Sequence, residues 1–528
     1  MGSVNNPVLR GFHPDPSILY HDGWFYIANS TFEWFGGVEI SRSRDLSSWE
    51  PVGRALTRKS QLDMWGNPPS GGIWAPCLSW DDGLFWLIYT DVKTWNQGPF
   101  KDVHNYLVTA PSVEGPWSEP VYLNSSGFDP SLFHDDDGKK WLVNMEWDYR
   151  EQGTRQFSGI LLQELDPKTK QLVGPVYKIW KGTEIGLVEG PHLYKKDGWY
   201  YLVCAEGGTE YDHAVSVARS RSITGPYETH PDNPLCTSRG KPDLALQKAG
   251  HGSLCQAPGG EWFLAFLVGR PLPGTRRCVL GRETAIAPII WKNDWPYLAN
   301  GSPYPELSFE VPWETKERIP QRILYTFETP EGHQLFRRDF MSLRIPPEGV
   351  LYSFTDRPGY LRLFGKESPV SRHTQCVCAR RQESFVFEAE TALEASFTSF
   401  QHMAGLMYRY DEENWYYLRV SYDEEKKCPV LGLLCMDNGE FSMPTGDIAI
   451  PSGIVYMKVS VNHKETRFYW SSDGHEWKTL GPVLDASIMS DEYGGLGFTG
   501  AFVGLACQDL QRQRQWVDVR YFKYEEFE

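Results

Sequence analysis

The chain has no apolar run long enough to cross a bilayer as a helix, which sets aside a helical membrane protein. Its opening residues, MGSVNNPVLRGFHPDPS, lack the apolar core of a secretory leader, so a cytoplasmic location is expected. Asn6 stands where N-myristoylation of Gly2 wants Ser or Thr, and a lipid anchor is not expected either. Basic clusters are missing as well. With 52 Lys and Arg against 68 Asp and Glu, the formal net charge is −16, and no patch is available for a nucleic acid or an anionic membrane. The ten cysteines include no C-x-x-C pair, Cys376 and Cys378 being the closest. That spacing favours free thiols in a reducing compartment over a disulfide framework. No segment carries a convincing helical period, so an all-β protein is expected.

Aromatic residues, in contrast, are abundant, at 14% with 21 Trp. Most belong to packing between strands, and a few are free to stack on a sugar face. They recur in five related segments: DPSILYHDGWFYIANS from Asp15, APCLSWDDGLFWLIYT from Ala75, DPSLFHDDDGKKWLVNM from Asp129, EGPHLYKKDGWYYLVCA from Glu189 and HGSLCQAPGGEWFLAF from His251. Each reads as a short strand, a tight turn and an aromatic strand. The turn glycines Gly23, Gly83, Gly138, Gly198 and Gly260 are spaced 60, 55, 60 and 62 residues apart, a period suited to a blade of several strands. Pro-Trp and Pro-Tyr turns such as EGPWSEPV and TGPYETHP supply the outer strands. Residues 1–300 are therefore predicted to form a five-bladed β-propeller.

In that geometry the innermost strands converge on a central channel, and their first residues face one another. Read round the ring, these are Asp15, Trp74 with Ala75, Asp129, Glu189 and His251. D-P-S at a strand start is also an Asx-type turn, and a lone carboxylate there would be structural. Three carboxylates at equivalent ring positions point to catalysis instead, because proximity raises one pKa and holds another down. Glycoside hydrolysis uses such a pair.

The blade motifs carry a more specific signal. GFHPDPSI, GGIWAPCLSW, GFDPSLFHDDDGKKWLV, GLVEGPHLY, EGGTEYDHAVSVARS, GHGSL and GRETAI resemble, in order and spacing, those of family 43 glycoside hydrolases, most closely the two-domain β-xylosidases. The resemblance implies an inverting mechanism with Asp15 as general base, Glu189 as general acid and Asp129 tuning and orienting Glu189. An inverter needs its acid and base roughly 6.5–9.5 Å apart, and Asp15 and Glu189 fall on non-adjacent blades while Asp129 neighbours Glu189. By the same resemblance Arg282 binds glycone hydroxyls near Asp129, and Phe32, Trp74, Ala75, Phe128, Trp147 and Thr209 line the pocket. No metal is implied as a requirement; in some members the histidine matching His251 reaches a water-coordinated calcium, which makes His251 the candidate metal-contacting residue.

Beyond a Pro-rich stretch, 301–322, read as a stiff linker, alternating strands resume over 323–528 and predict a β-sandwich, jelly-roll-like domain. Its segment FTGAFVG resembles a loop that closes the family's pocket. Phe502 is taken as the residue that completes it, and Phe498 as a strand of the sandwich core. The function expected is an exo-acting β-1,4-xylosidase on xylo-oligosaccharides. The alternatives are an α-L-arabinofuranosidase or dual-activity enzyme, and a non-catalytic glycan- or protein-binding propeller. The only protein partner considered is a second copy of the chain, as a dimer or tetramer.

Overall fold

The computed structural model describes residues 2–528. The predicted five-fold repeat is a five-bladed propeller, whose innermost strands are Ser17–His21, Gly72–Asp81, Ser131–His134, Glu189–Lys196 and Gln247–Gln256. Each pairs antiparallel with the aromatic strand across its D-G or G-G turn, as in Ile18↔Ile27 and Leu132↔Leu142. The turns work because both central residues adopt left-handed backbone: Asp22 (φ 46°) with Gly23 (80°), and Asp197 (50°) with Gly198 (75°). The ring closes where the N-terminal segment meets blade 5, by backbone bonds such as His13 N–H to the Arg282 carbonyl (2.9 Å) and the bridge Leu9↔Thr284, and by side chains. The Ile18 amide donates to Ser253 Oγ (2.9 Å), which donates to Pro16 O (2.8 Å).

The linker is more than a spacer. Ser308–Val311 pairs with the N-terminal strand Gly2–Asn5 in register Gly2↔Val311, so this stretch latches the propeller's first residues. The second domain is a sandwich of an eight-stranded and a nine-stranded sheet. Between them lies an apolar core that includes Phe387, Leu406, Leu418, Val459 and Phe522. One α-helix, Pro330–Asp339, corrects the expectation of none. Its signal was present in E-T-P-E: Thr329 caps, accepting the Gly332 amide at 3.2 Å, and Pro330 opens the first turn. No helix among the described residues is long and apolar enough to cross a membrane.

The two domains share a sheet. Trp34–Phe35, in a loop of blade 1, pairs with Met341–Leu343 as Ser342↔Phe35 and Leu343↔Trp34 and so becomes the edge of the nine-stranded sheet. Trp34 is fully buried and stacks on Phe502, centroids 3.8 Å apart.

Candidate active site

At the channel mouth all five blades enter with the same kink. Asp15 (φ 51°), Ala75 (35°), Asp129 (55°), Gly190 (56°) and His251 (48°) each take left-handed backbone, and regular pairing starts or resumes one or two residues further on. Such a conformation is costly for Ala and His and easier for Asp and Gly, so the tertiary frame imposes it on this ring. The fourth blade departs from the expected register. Its kinked residue is Gly190, which puts Glu189 one residue ahead, level with Trp74 and Phe128 and not with Asp15 and Asp129. The acid candidate therefore sits one layer nearer the mouth than the other two carboxylates.

These residues form the floor of a cavity of about 470 Å³, with Asp15, Asp129, Glu189, His251 and Arg282 together at its base. Arg282 Nη1 donates to Asp15 Oδ1 (2.9 Å) and to Thr209 Oγ1 (2.8 Å), and its Nη2 donates to the carbonyl of Phe498 (2.9 Å). The other oxygen of Asp15 accepts from Ser30 Oγ at 2.6 Å, and Ser30 Oγ accepts the Ala75 amide at 2.7 Å. Asp129 Oδ2 accepts the amide of Gly190 (3.0 Å), fixing the backbone next to Glu189. Phe32, Trp74, Phe128 and Trp147 form the walls, and Trp74 meets Phe128 edge-on at 5.3 Å.

Burial acts on all three carboxyls, and their partners then separate them. For Asp15, burial pushes upward, but Arg282, His251 at 3.9 Å and the Ser30 hydroxyl outweigh it and hold the group below its ordinary value. Glu189 is pushed up to about 8 by burial and by the charge on Asp15, with Arg282 and Lys101 opposing. Asp129 is raised well above the carboxylate range by burial and by the neighbouring Glu189 and Asp15. The floor thus sets Asp15, held down, against Glu189, pushed up. That is the division of labour an acid–base hydrolase requires.

Residues 4–296 match the family model described as glycosyl hydrolases family 43, and residues 331–525 match the β-xylosidase C-terminal concanavalin A-like domain. The chain belongs to glycoside hydrolase family 43. It is 48% identical to a xylosidase/arabinosidase 43B of Humicola insolens, over 99% of this chain and 98% of that one. It is also 48% identical to a β-xylosidase of Bacillus subtilis, over 99% of both. Among solved structures, the xylan β-1,4-xylosidase from Bacillus halodurans superposes with a TM-score of 0.94 at 52% identity, over 99% of this chain and 100% of that one.

Two pocket assignments of this family 43 enzyme need correction. Phe502 is fully buried between Trp34 and Phe12 and does not line the cavity. Phe498 does, with its ring 5.4 Å from Trp74 and 5.9 Å from Phe32, so the sandwich completes the pocket through the residue taken for its core. Both phenylalanines are flanked by small residues, and the sequence holds no local mark of which one faces the other domain. Ala75 is likewise not a lining residue and contributes its amide to Ser30.

Trp95, Lys101 and Phe157 line the cavity without having been foreseen, because they sit in loops or at strand ends outside the repeated segments. Lys101 donates to the Trp95 carbonyl (2.7 Å) and lies over the Trp147 ring at 4.4 Å; burial pulls it down to about 8. Among the described residues no group of three or more His, Cys, Asp or Glu is arranged to hold a metal. His251 offers one imidazole, which does not make up the oxygen-rich cage a calcium ion takes from protein.

Proposed function

We propose that this glycoside hydrolase is an exo-acting β-1,4-xylosidase that releases xylose from the non-reducing end of xylo-oligosaccharides with inversion. The observation that carries the reading is the opposed ionisation of Asp15 and Glu189 on one closed cavity floor. Asp15, ionised, takes a proton from water as the oxygen attacks the anomeric carbon. Glu189, protonated, gives its proton to the departing glycosidic oxygen. Asp129 accepts the Gly190 amide and so holds the backbone beside Glu189.

Arg282 has two roles in this scheme. It keeps Asp15 ionised, and through Thr209 and the Phe498 carbonyl it ties blade 4 and the sandwich to the glycone end of the pocket. The Phe498 ring, laid by the sandwich against Trp74 and Phe32, walls off one side of the pocket and so favours release of single sugars over internal cleavage. A second reading, α-L-arabinofuranosidase activity on the same floor, is favoured by the 48% identity to a protein named for both activities.

Incubation with xylobiose and with p-nitrophenyl xyloside and arabinofuranoside, followed by NMR, tests both readings. The expected first product from xylobiose is α-xylose. Initial β-xylose would mean retention, and no xylose from xylobiose would leave either the arabinosidase reading or a binding propeller.

A further inference from the structure

The segment Asn67–Pro68–Pro69–Ser70–Gly71–Gly72 runs behind the aromatic wall, touching no catalytic carboxylate, and its backbone holds that wall in place. The Pro69 carbonyl accepts the Trp95 indole N–H at 3.0 Å, and the Ser70 carbonyl accepts that of Trp74 at 2.8 Å. Ser70 Oγ accepts the amide of Phe498 at 3.0 Å, reaching 428 residues along the chain into the sandwich. The three rings so held touch one another: Trp95 and Phe498 at 4.8 Å, Trp74 and Phe498 at 5.4 Å, Trp74 and Trp95 at 6.2 Å.

Ser70 is itself anchored. It is buried at 3% exposure, and its amide donates to Glu33 Oε2 (3.0 Å). The carbonyl of Glu33 in turn accepts the amide of Arg344 from the sandwich at 2.9 Å. Its backbone is left-handed, φ 58°, a conformation in which glycine would be easier. The role of the Ser70 hydroxyl is visible, since Phe498 is gripped at both ends, its amide by Ser70 and its carbonyl by Arg282.

We propose that Ser70 is a positioning residue for glycoside cleavage: its hydroxyl and carbonyl lock Phe498 and Trp74 in register, so that the sandwich loop closes the sugar pocket over the carboxylate floor. It acts through those two rings and touches no reacting atom. The proposal rests on the xylosidase reading, because it is measured on that reaction.

Ser70→Gly is the discriminating variant, since it relaxes the backbone while removing the acceptor for the Phe498 amide. A merely structural serine replaced this way would lower the thermal midpoint and leave activity per folded molecule alone. A positioning serine would keep the midpoint and lose activity, with kcat/KM on xylobiose falling ~5- to 50-fold through both KM and kcat, as expected for a misplaced pocket wall. Ser70→Asn tolerates left-handed backbone, brings back an acceptor oxygen and should recover part of the loss.

Wild-type kcat/KM in a folded Ser70→Gly enzyme would overturn the proposal. So would a loss that merely tracks a lowered midpoint across the Gly, Ala and Asn variants. Failure of the wild-type enzyme to cleave xylobiose would instead indict the xylosidase reading.

Discussion

A second cavity, of about 450 Å³, lies where blade 1 meets the linker and the sandwich, and is nearly as large as the 470 Å³ catalytic one. Both are lined by carboxylates and arginines, and they differ in how the charges are matched. In the second cavity Glu39 is enclosed by Arg381 at 2.7 Å, His13 at 3.2 Å and Arg54 at 3.5 Å. Burial there is overcome by these neighbours, and Glu39 is held well below the carboxylate range. Asp339 has Arg338 at 2.7 Å. Glu383, 3.5 Å from Arg380, is pushed up by burial against the pull of that arginine.

In the catalytic cavity the cation is rationed. Arg282 pairs with Asp15, while among the described residues neither Asp129 nor Glu189 has an ion-pair partner. Burial alone therefore does not set a carboxyl's role. Asp15, paired with Arg282, is held down as a base, while Glu189, buried beside Asp15 with no ion-pair partner, is pushed up as an acid.

The most severe break of this contrast is Asp15→Asn, which removes the carboxylate that Arg282 holds down. Turnover should fall ~10²–10⁴-fold or more on every substrate while the protein still folds and binds xylobiose. Stopped assays with circular dichroism check this, and a folded, active variant would remove Asp15 from the mechanism.

Glu189→Gln tests the acid, and its effect should depend on the leaving group. Cleavage of xylobiose should fall ~10²–10⁴-fold, whereas a nitrophenolate leaves unaided and should lose less than ~10-fold. Because Glu189 must be protonated to act, xylobiose turnover in the wild-type enzyme should decline as pH rises through about 8. The variant should lack that limb; equal losses on both substrates would refute the assignment.

The smallest change in chemistry, and a large one in stability, is expected from Glu39→Gln. Leaving Arg381 and Arg54 without their anion should destabilise the fold by ~3–5 kcal/mol, with kcat per folded molecule nearly unchanged. The two cavities should also oppose each other in pH. Glu39, depressed, contributes stability that is present above the ordinary carboxylate range and lost as pH falls through its folded value. Glu189, raised, contributes stability that is full below about 4.5 and lost as pH rises toward about 8. Thermal midpoints from pH 3 to 9 for the wild type, Glu39→Gln and Glu189→Gln should separate the slopes. If Glu39→Gln leaves the acid-side slope unchanged, the second cavity is not the stabilising anion site described.

What was legible in the sequence was local. A D-G or G-G turn between short alternating strands dictates a hairpin, and five of them at a near-constant spacing dictate blades, because left-handed turn residues and period-two burial need only near neighbours in the chain. The carboxylates at the start of the inner strands and Trp74 followed from the same repeat, while Phe128 and Arg282 entered the site only through the resemblance of the blade motifs to family 43. What only the tertiary structure decided was how these residues meet. Gly190, and not Glu189, takes the kink of the fourth blade, which lifts the acid one layer above the base. Phe498, and not Phe502, reaches the sugar pocket, because its amide and carbonyl find Ser70 and Arg282, 428 and 216 residues away. The ionisation of the floor was decided the same way. Burial and the placing of a single arginine set which carboxyl keeps its proton, and both depend on contacts between blades and between domains that no local pattern encodes.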